Sequence, residues 1–75
     1  MLGPLELHRR SKGLTQRRLA KLIGRSPSLI SGVERGWVTP SAEFRRRCSE
    51  ALGIPVEVLF PKPHQLYVDR TGKEQ

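Results

Sequence analysis

Residues 13–36 read GLTQRRLAKLIGRSPSLISGVERG, and this stretch decides the fold. Thr15 stands as a helix N-cap and Gly24 as a stop. Between them Leu19, Leu22 and Ile23 recur at i, i+3 and i+4 beside Ala20. They are expected to face a core, with Arg17, Arg18 and Lys21 filling the opposite side. Ser26-Pro27 then supplies an N-cap followed by a proline at the first helical position. There the missing N–H costs nothing and the fixed φ is already helical. Ile30 and Val33 sit three apart as core positions, and Gly36 ends this second helix. Only the residues from Gly24 to Pro27 join the two. A turn that short forces two helices to cross steeply, in helix-turn-helix geometry.

The flanks read the same way. Pro4 opens a helix over 4–11 that places Leu5 inward and Arg9 one turn later on the same side, and Gly13 stops it. After Gly36, residues 37–40 (WVTP) form a loop whose Thr39, or Ser41 just beyond, can cap the next helix. In SAEFRRRCSEALG (41–53), Phe44, Cys48, Ala51 and Leu52 recur as one apolar stripe that closes the core, and Gly53 ends the helix. Residues 55–60 (PVEVLF) make a short last helix or turn, with Leu59 expected inside. Pro61 and Pro63 forbid regular continuation. The expected fold is therefore all-α, a compact bundle of five helices at about 4–11, 15–23, 26–35, 41–52 and 55–60. These make one domain over 1–60. Leu66 and Val68 alternate weakly in the remainder, and 61–75 is expected to be a tail that is flexible or ordered by a partner.

Charge narrows the function. The chain has 75 residues, 14 Lys or Arg against seven acids, and a net charge of +7. The excess is uneven: residues 1–36 hold eight Lys or Arg and two acids, and residues 37–75 hold six and five. A basic half on a small domain calls for a polyanion, with nucleic acid as the first expectation and an anionic membrane as the second. The helix-turn-helix geometry makes duplex DNA the expected partner. The surface presented to it is the start of the 26–35 helix. Its outward residues Ser26, Pro27, Ser28, Ser31 and Gly32 are small enough to let the backbone approach a groove. None is an Arg, Gln or Asn able to bond a base edge in bidentate fashion.

The run from Gly13 to Phe60 resembles the helix-turn-helix domain of phage repressors, Cro-like proteins and xenobiotic-response-element-type bacterial regulators. GLTQRRLA (13–20), IGRSPSLIS (23–31), ERG with Pro40 (34–40) and ALGIPVEVLF (51–60) carry the likeness together, in order and at the family's spacing. The resemblance covers about residues 5–60. It implies the lambda-repressor-like five-helix fold, with the 26–35 helix reading base edges in the major groove through Pro27, Ser28, Ser31 and Gly32. It implies that Gln16 grips a backbone phosphate, with Arg17, Ser26 and Arg35 as further phosphate contacts. Trp37 stands where the family usually has a basic residue, and its indole N–H is a substitute donor there. Arg9 and Glu34 match an ion pair that ties the first helix to the third.

Other classes fare worse. Cys48 is the single cysteine, so no internal disulfide is available, and its i+4 relations to Phe44 and Leu52 are those of packing. His8 and His64 have no ligand partner at helical spacing, so no metal and no cofactor is expected. No Ser, His and acid converge on a shared site, and no enzymatic role is expected. Arg45-Arg46-Arg47 reads as a solvated face. The basic residues of the N-terminus follow its apolar ones, opposite to a signal peptide, and no apolar run reaches the ~18 residues of a membrane span. Cytoplasmic, nucleoid-associated location is therefore expected. The expected function is sequence-specific transcriptional regulation, by repression. A homodimer is expected on DNA, with Val56, Val58 and Phe60 as its contacts. Two other readings stand beside it: the antitoxin of a toxin–antitoxin pair whose tail orders on the toxin, and a protein-interaction module that reuses the fold.

Overall fold

Local chemistry starts and stops each helix of the computed structural model, which describes residues 2–61. The expectations for the tail, including Leu66 and Val68, lie outside the described residues. Among the described residues five helices run in order: α1 (Pro4–Ser11), α2 (Gln16–Ile23), α3 (Pro27–Glu34), α4 (Ala42–Leu52) and α5 (Val56–Leu59). Thr15 Oγ1 accepts the Arg18 N–H at 3.0 Å, Ser26 Oγ the Leu29 N–H at 3.2 Å, and Ser41 Oγ the Phe44 N–H at 3.1 Å. Each of these caps satisfies a backbone donor that has no partner within its helix. Of the two candidate caps for α4, Ser41 is the one used.

The core is one cluster. Leu5, Leu19, Ala20, Ile23, Ile30, Phe44, Cys48, Leu52 and Leu59 are buried, with Leu14, Leu29, Val33, Ala51, Ile54 and Phe60 packed around them. Helix α2 is the hub, packing on α3 and α4, while α5 closes the bundle against α1 and α4. Phe44 meets Phe60 edge to face, with ring centroids 6.2 Å apart and planes at 70°, an arrangement favoured by the aromatic quadrupole. Fully burying one Leu, Ile or Phe side chain stabilises by about 1.5–3 kcal/mol, a large fraction of what so small a fold holds in total.

A charged pair reaches into this core. Arg9 is 5% exposed, and its Nε donates to Glu34 Oε2 at 2.6 Å while Nη2 donates to Glu34 Oε1 at 3.2 Å. Its Nη1 donates to the Leu14 carbonyl at 2.7 Å. The fork–fork geometry ties α1 to the far end of α3. The Glu34 side chain is 2% exposed, so neither charge is left to water.

Two expectations are corrected. Leu22 is 60% exposed, not a core residue. The buried face of α2 is Leu19, Ala20 and Ile23. Leu22 precedes Ile23 and therefore points roughly 100° away from it. The arginine run of α4 is not uniformly solvated either. Arg47 Nε bonds Glu43 Oε2 at 3.0 Å, and its Nη1 reaches the Ile23 carbonyl at 3.0 Å. It thereby satisfies one of the carbonyls that the end of α2 leaves open and fastens α4 to α2.

Candidate nucleic-acid interface

Backbone geometry at the end of α2 aims α3. Gly24 takes φ +70°, a left-handed conformation that a Cβ would penalise. The Arg25 N–H then reaches back to the Ala20 carbonyl at 2.9 Å and the Gly24 N–H to the Lys21 carbonyl at 3.4 Å. This is a Schellman closure, and the Ser26 cap starts α3 two residues later. The chain has no slack between the two helices, so their relative setting is fixed by the turn.

Ser26, Pro27 and Ser28 lie exposed at the start of α3, and Ser31 is half-buried one turn on. The sequence places Gly32 beside Ser31 on the outward face, and here the structure corrects the expectation. Gly32 is buried, and a Cβ built on it would lie 2.8 Å from Val38 Cγ2. The small residue serves a close approach within this chain. Gly36, at φ +82°, reverses the backbone after α3. The Trp37 and Val38 N–H groups both reach the Gly32 carbonyl, at 2.8 and 3.2 Å, and Val38 packs into the space a side chain would fill. A glycine inside a helical pattern signals such an approach. Which group approaches is a property of the loop's path, which spacing does not reveal.

Gln16 is half-buried at the first position of α2, and its Nε2 donates to Glu34 Oε1 at 2.8 Å. The amide is thus held by the carboxylate that pairs with Arg9, and its second N–H remains as a donor. Arg17, Arg18 and Lys21 are exposed on the outer side of α2. Arg35 and Trp37 stand together past the end of α3, with Arg35 Cζ over the indole at 5.1 Å from its centroid. Trp37 is 74% exposed.

Pairing sharpens the charge distribution. Glu6 binds Arg10 at 2.8 Å, Glu34 binds Arg9, Glu43 binds Arg47 at 2.8 Å and lies 3.8 Å from Arg25, and Glu50 binds Arg46 at 3.2 Å. The acids therefore neutralise arginines of α1 and α4 and of the α2–α3 turn. Among the described residues, no carboxylate lies within 4 Å of a charged nitrogen of Arg17, Arg18, Lys21 or Arg35. Uncompensated positive charge is left on α2 and just past α3, the elements before and after the exposed Ser26–Ser28 turn, and also at Lys12 and Arg45, which have no carboxylate partner among the described residues.

The expected dimer residues are placed unequally. Val58 is 44% exposed, whereas Val56 and Phe60 are half-buried. Phe60 lines a cleft of about 400 Å³ whose apolar walls include Pro4, Leu5, Val33 and Leu59. Cys48 lies fully buried on the inner face of α4, and its burial, with the nearby Glu34 charge adding to it, pushes the thiol up to about 12. Among the described residues, no group of His, Cys, Asp or Glu is arranged to hold a metal ion, and no helix is long and apolar enough to cross a membrane.

The helix-turn-helix domain family matches residues 4–59. The chain is 34% identical over 77 aligned residues to the HTH-type transcriptional regulator SlrR of Bacillus subtilis (strain 168), covering all of this chain and 51% of SlrR. It is 38% identical over 53 residues to the uncharacterized HTH-type transcriptional regulator YazB of the same organism, covering 71% of this chain and 77% of YazB. Among solved structures, the clp gene regulator ClgR of Corynebacterium glutamicum superposes with a TM-score of 0.68 at 38% identity, over 71% of this chain and 56% of that one. The SinR protein/SinI protein complex gives 0.72 at 27% identity, over 93% and 68%. The chain thus spans about half the length of SlrR and of the ClgR chain.

Proposed function

Because this chain belongs to the helix-turn-helix domain family, we propose that it is a transcriptional regulator that binds duplex DNA sequence-specifically, with α3 in the major groove. The observation that carries this reading is the residual charge: of the six cations without a carboxylate partner among the described residues, four, Arg17, Arg18, Lys21 and Arg35, lie on the elements either side of the exposed start of α3. Phosphate contacts come from Gln16 through its second amide N–H, and from Arg17, Ser26 and Arg35, the last at the corner it shares with Trp37. These fix the register of the helix on the duplex. Base edges are met by Pro27, Ser28 and Ser31. Hydroxyls there bond either kind of base partner and a proline packs on a thymine methyl, so each contact is weak.

Weak contacts favour two copies. A homodimer formed through Val56, Val58 and Phe60 would set two α3 helices in successive major grooves, ~34 Å apart, on a palindromic site. Occupancy of a promoter is enough to repress, so repression is the proposed outcome. The test is selection of bound sequences from a random duplex pool, followed by footprinting. Enrichment of a two-fold site supports the reading. Failure to enrich any sequence refutes it, and a single asymmetric half-site bound by one protein refutes the dimer.

A protein partner is the second reading. The structural neighbour SinR was solved together with SinI, and the start of α3 here presents hydroxyls and a proline, not base-reading amides or guanidinium groups. A selected duplex bound through residues 26–31 would exclude a module that only binds protein.

A further inference from the structure

We infer that Trp37 is a positioning residue for Arg35, and that the two form a preassembled clamp for one DNA phosphate; this rests on the duplex-binding reading above. Trp37 is the largest and most exposed of the outward-facing apolar side chains among the described residues. It is also firmly placed, which is unusual for a loop residue. Its N–H is bonded to the Gly32 carbonyl at 2.8 Å, the Val38 N–H shares that carbonyl at 3.2 Å, and Val38 fills the space beside Gly32. The loop is therefore pinned to α3 from both its backbone and its side chain. The indole projects into water from this fixed stretch of backbone, a placement that suits the support of a group outside the core.

That group is Arg35. Its guanidinium carbon lies 5.1 Å from the indole centroid, and no described carboxylate competes for it. A cation over a ring is attracted to the ring's negative face. A guanidinium stacked flat on the ring uses its face for the attraction and leaves its N–H donors, which lie in the guanidinium plane, for a phosphate. A free surface arginine loses much side-chain freedom when it binds. One already restrained by a ring loses less, so the indole raises affinity through the arginine even where it makes no contact itself.

The experiment uses the full chain and a selected duplex site, with Arg35→Ala, Trp37→Ala, Trp37→Phe and the double Arg35→Ala/Trp37→Ala. Arg35→Ala is expected to lower affinity about tenfold and to reduce the magnitude of the log K against log salt slope by about 1. Trp37→Ala is expected to cost at least threefold, and the same substitution in the Arg35→Ala background less than twofold, as required of a residue acting through another. Trp37→Phe keeps a π face and is expected to retain most of the affinity. Trp37 is the single tryptophan, so its fluorescence is expected to change in the free protein when Arg35 is replaced by Ala. Additive effects of the two substitutions, or full affinity in Trp37→Ala, overturn the inference while leaving the duplex-binding reading intact. Absence of duplex binding by the unaltered chain overturns both.

Discussion

Replacing Arg9 with Met probes the charged pair inside the core. The guanidinium makes two bonds to Glu34, the shorter 2.6 Å, and a third to the Leu14 carbonyl. Without it, the Glu34 carboxylate keeps only the neutral Gln16 amide at 2.8 Å, in a site where its side chain is 2% exposed. An uncompensated buried charge of this kind costs about 3–5 kcal/mol. At roughly 0.05–0.15 kcal/mol per residue, a unit of about 60 residues holds only ~3–9 kcal/mol. Arg9→Met is therefore expected to consume most of the stability. Glu34→Leu should cost less, because Glu6 lies 3.9 Å from the Arg9 guanidinium and offers it another partner. The double variant Arg9→Met/Glu34→Leu removes both charges and leaves apolar groups of similar size. It is expected to fall short of the sum of the two by at least ~2 kcal/mol. The assay is urea unfolding followed by far-ultraviolet circular dichroism, with sulfate added to hold the weakest variant folded. A cost below ~1 kcal/mol for Arg9→Met, or additivity in the double variant, would refute the reasoning, because either means the pair is solvated as surface pairs are.

Four further outcomes are expected. If three or four of the cations Arg17, Arg18, Lys21 and Arg35 displace counterions, log K for duplex DNA should fall against log salt with a slope of about −3 per subunit, and a flat dependence would remove the charged phosphate contacts. Ser28→Ala and Ser31→Ala should each weaken binding to a selected site by ~1 kcal/mol with little effect on random duplex, and equal losses on both would place them off the base edges. Gly32→Ala should lower the melting temperature, because its Cβ would lie 2.8 Å from Val38 Cγ2. In a Val38→Ala background it should instead stabilise by up to about 1 kcal/mol, the ordinary gain of Ala over Gly inside a helix, and no change of sign would mean the loop yields freely. Finally, Cys48 is held as a neutral thiol with its pKa pushed up to about 12 from an ordinary 9.0. Below about pH 9 the thiol is protonated in both folded and unfolded chains. Above it only the unfolded chain gains by ionising, so the stability of the native protein should fall relative to Cys48→Ala by roughly 1 kcal/mol per pH unit up to about 12. Equal pH profiles of the two in denaturant titrations would show that the thiol ionises within the fold.

Where a signal acts over one turn of chain, sequence and structure agree closely. Thr15, Ser26 and Ser41 bond the N–H three residues on, and Gly24 and Gly36 take positive φ where helices end. The interior of α4 is equally plain, because eleven residues give a stripe enough repeats to define its direction. Helix α2 has only eight residues, and an i, i+3, i+4 pattern there is compatible with two faces. Leu22 belongs to the face that stays in water. The interface is half legible: the cations on α2 can be named from composition, whereas the pairing that neutralises Arg9, Arg10 and Arg47 depends on which acids come near in space.

The sequence by itself thus determined that the described residues make five helices, to within a residue or two where they begin and end, that α2 and α3 are joined too tightly to lie apart, and that the charge is positive around them. These features arise from backbone dihedral preferences and from hydrogen bonds between neighbours in the chain. Only the tertiary structure decided that Gly32 lies under Val38, that Arg47 caps the end of α2, that Gln16 leans on the buried Glu34, and that Arg35 rests over Trp37. Each of these contacts joins groups whose encounter depends on the crossing of helices or the path of a loop. Such meetings are selected by close packing and by the need of every buried polar group for a partner, and neither condition acts until the whole chain has folded.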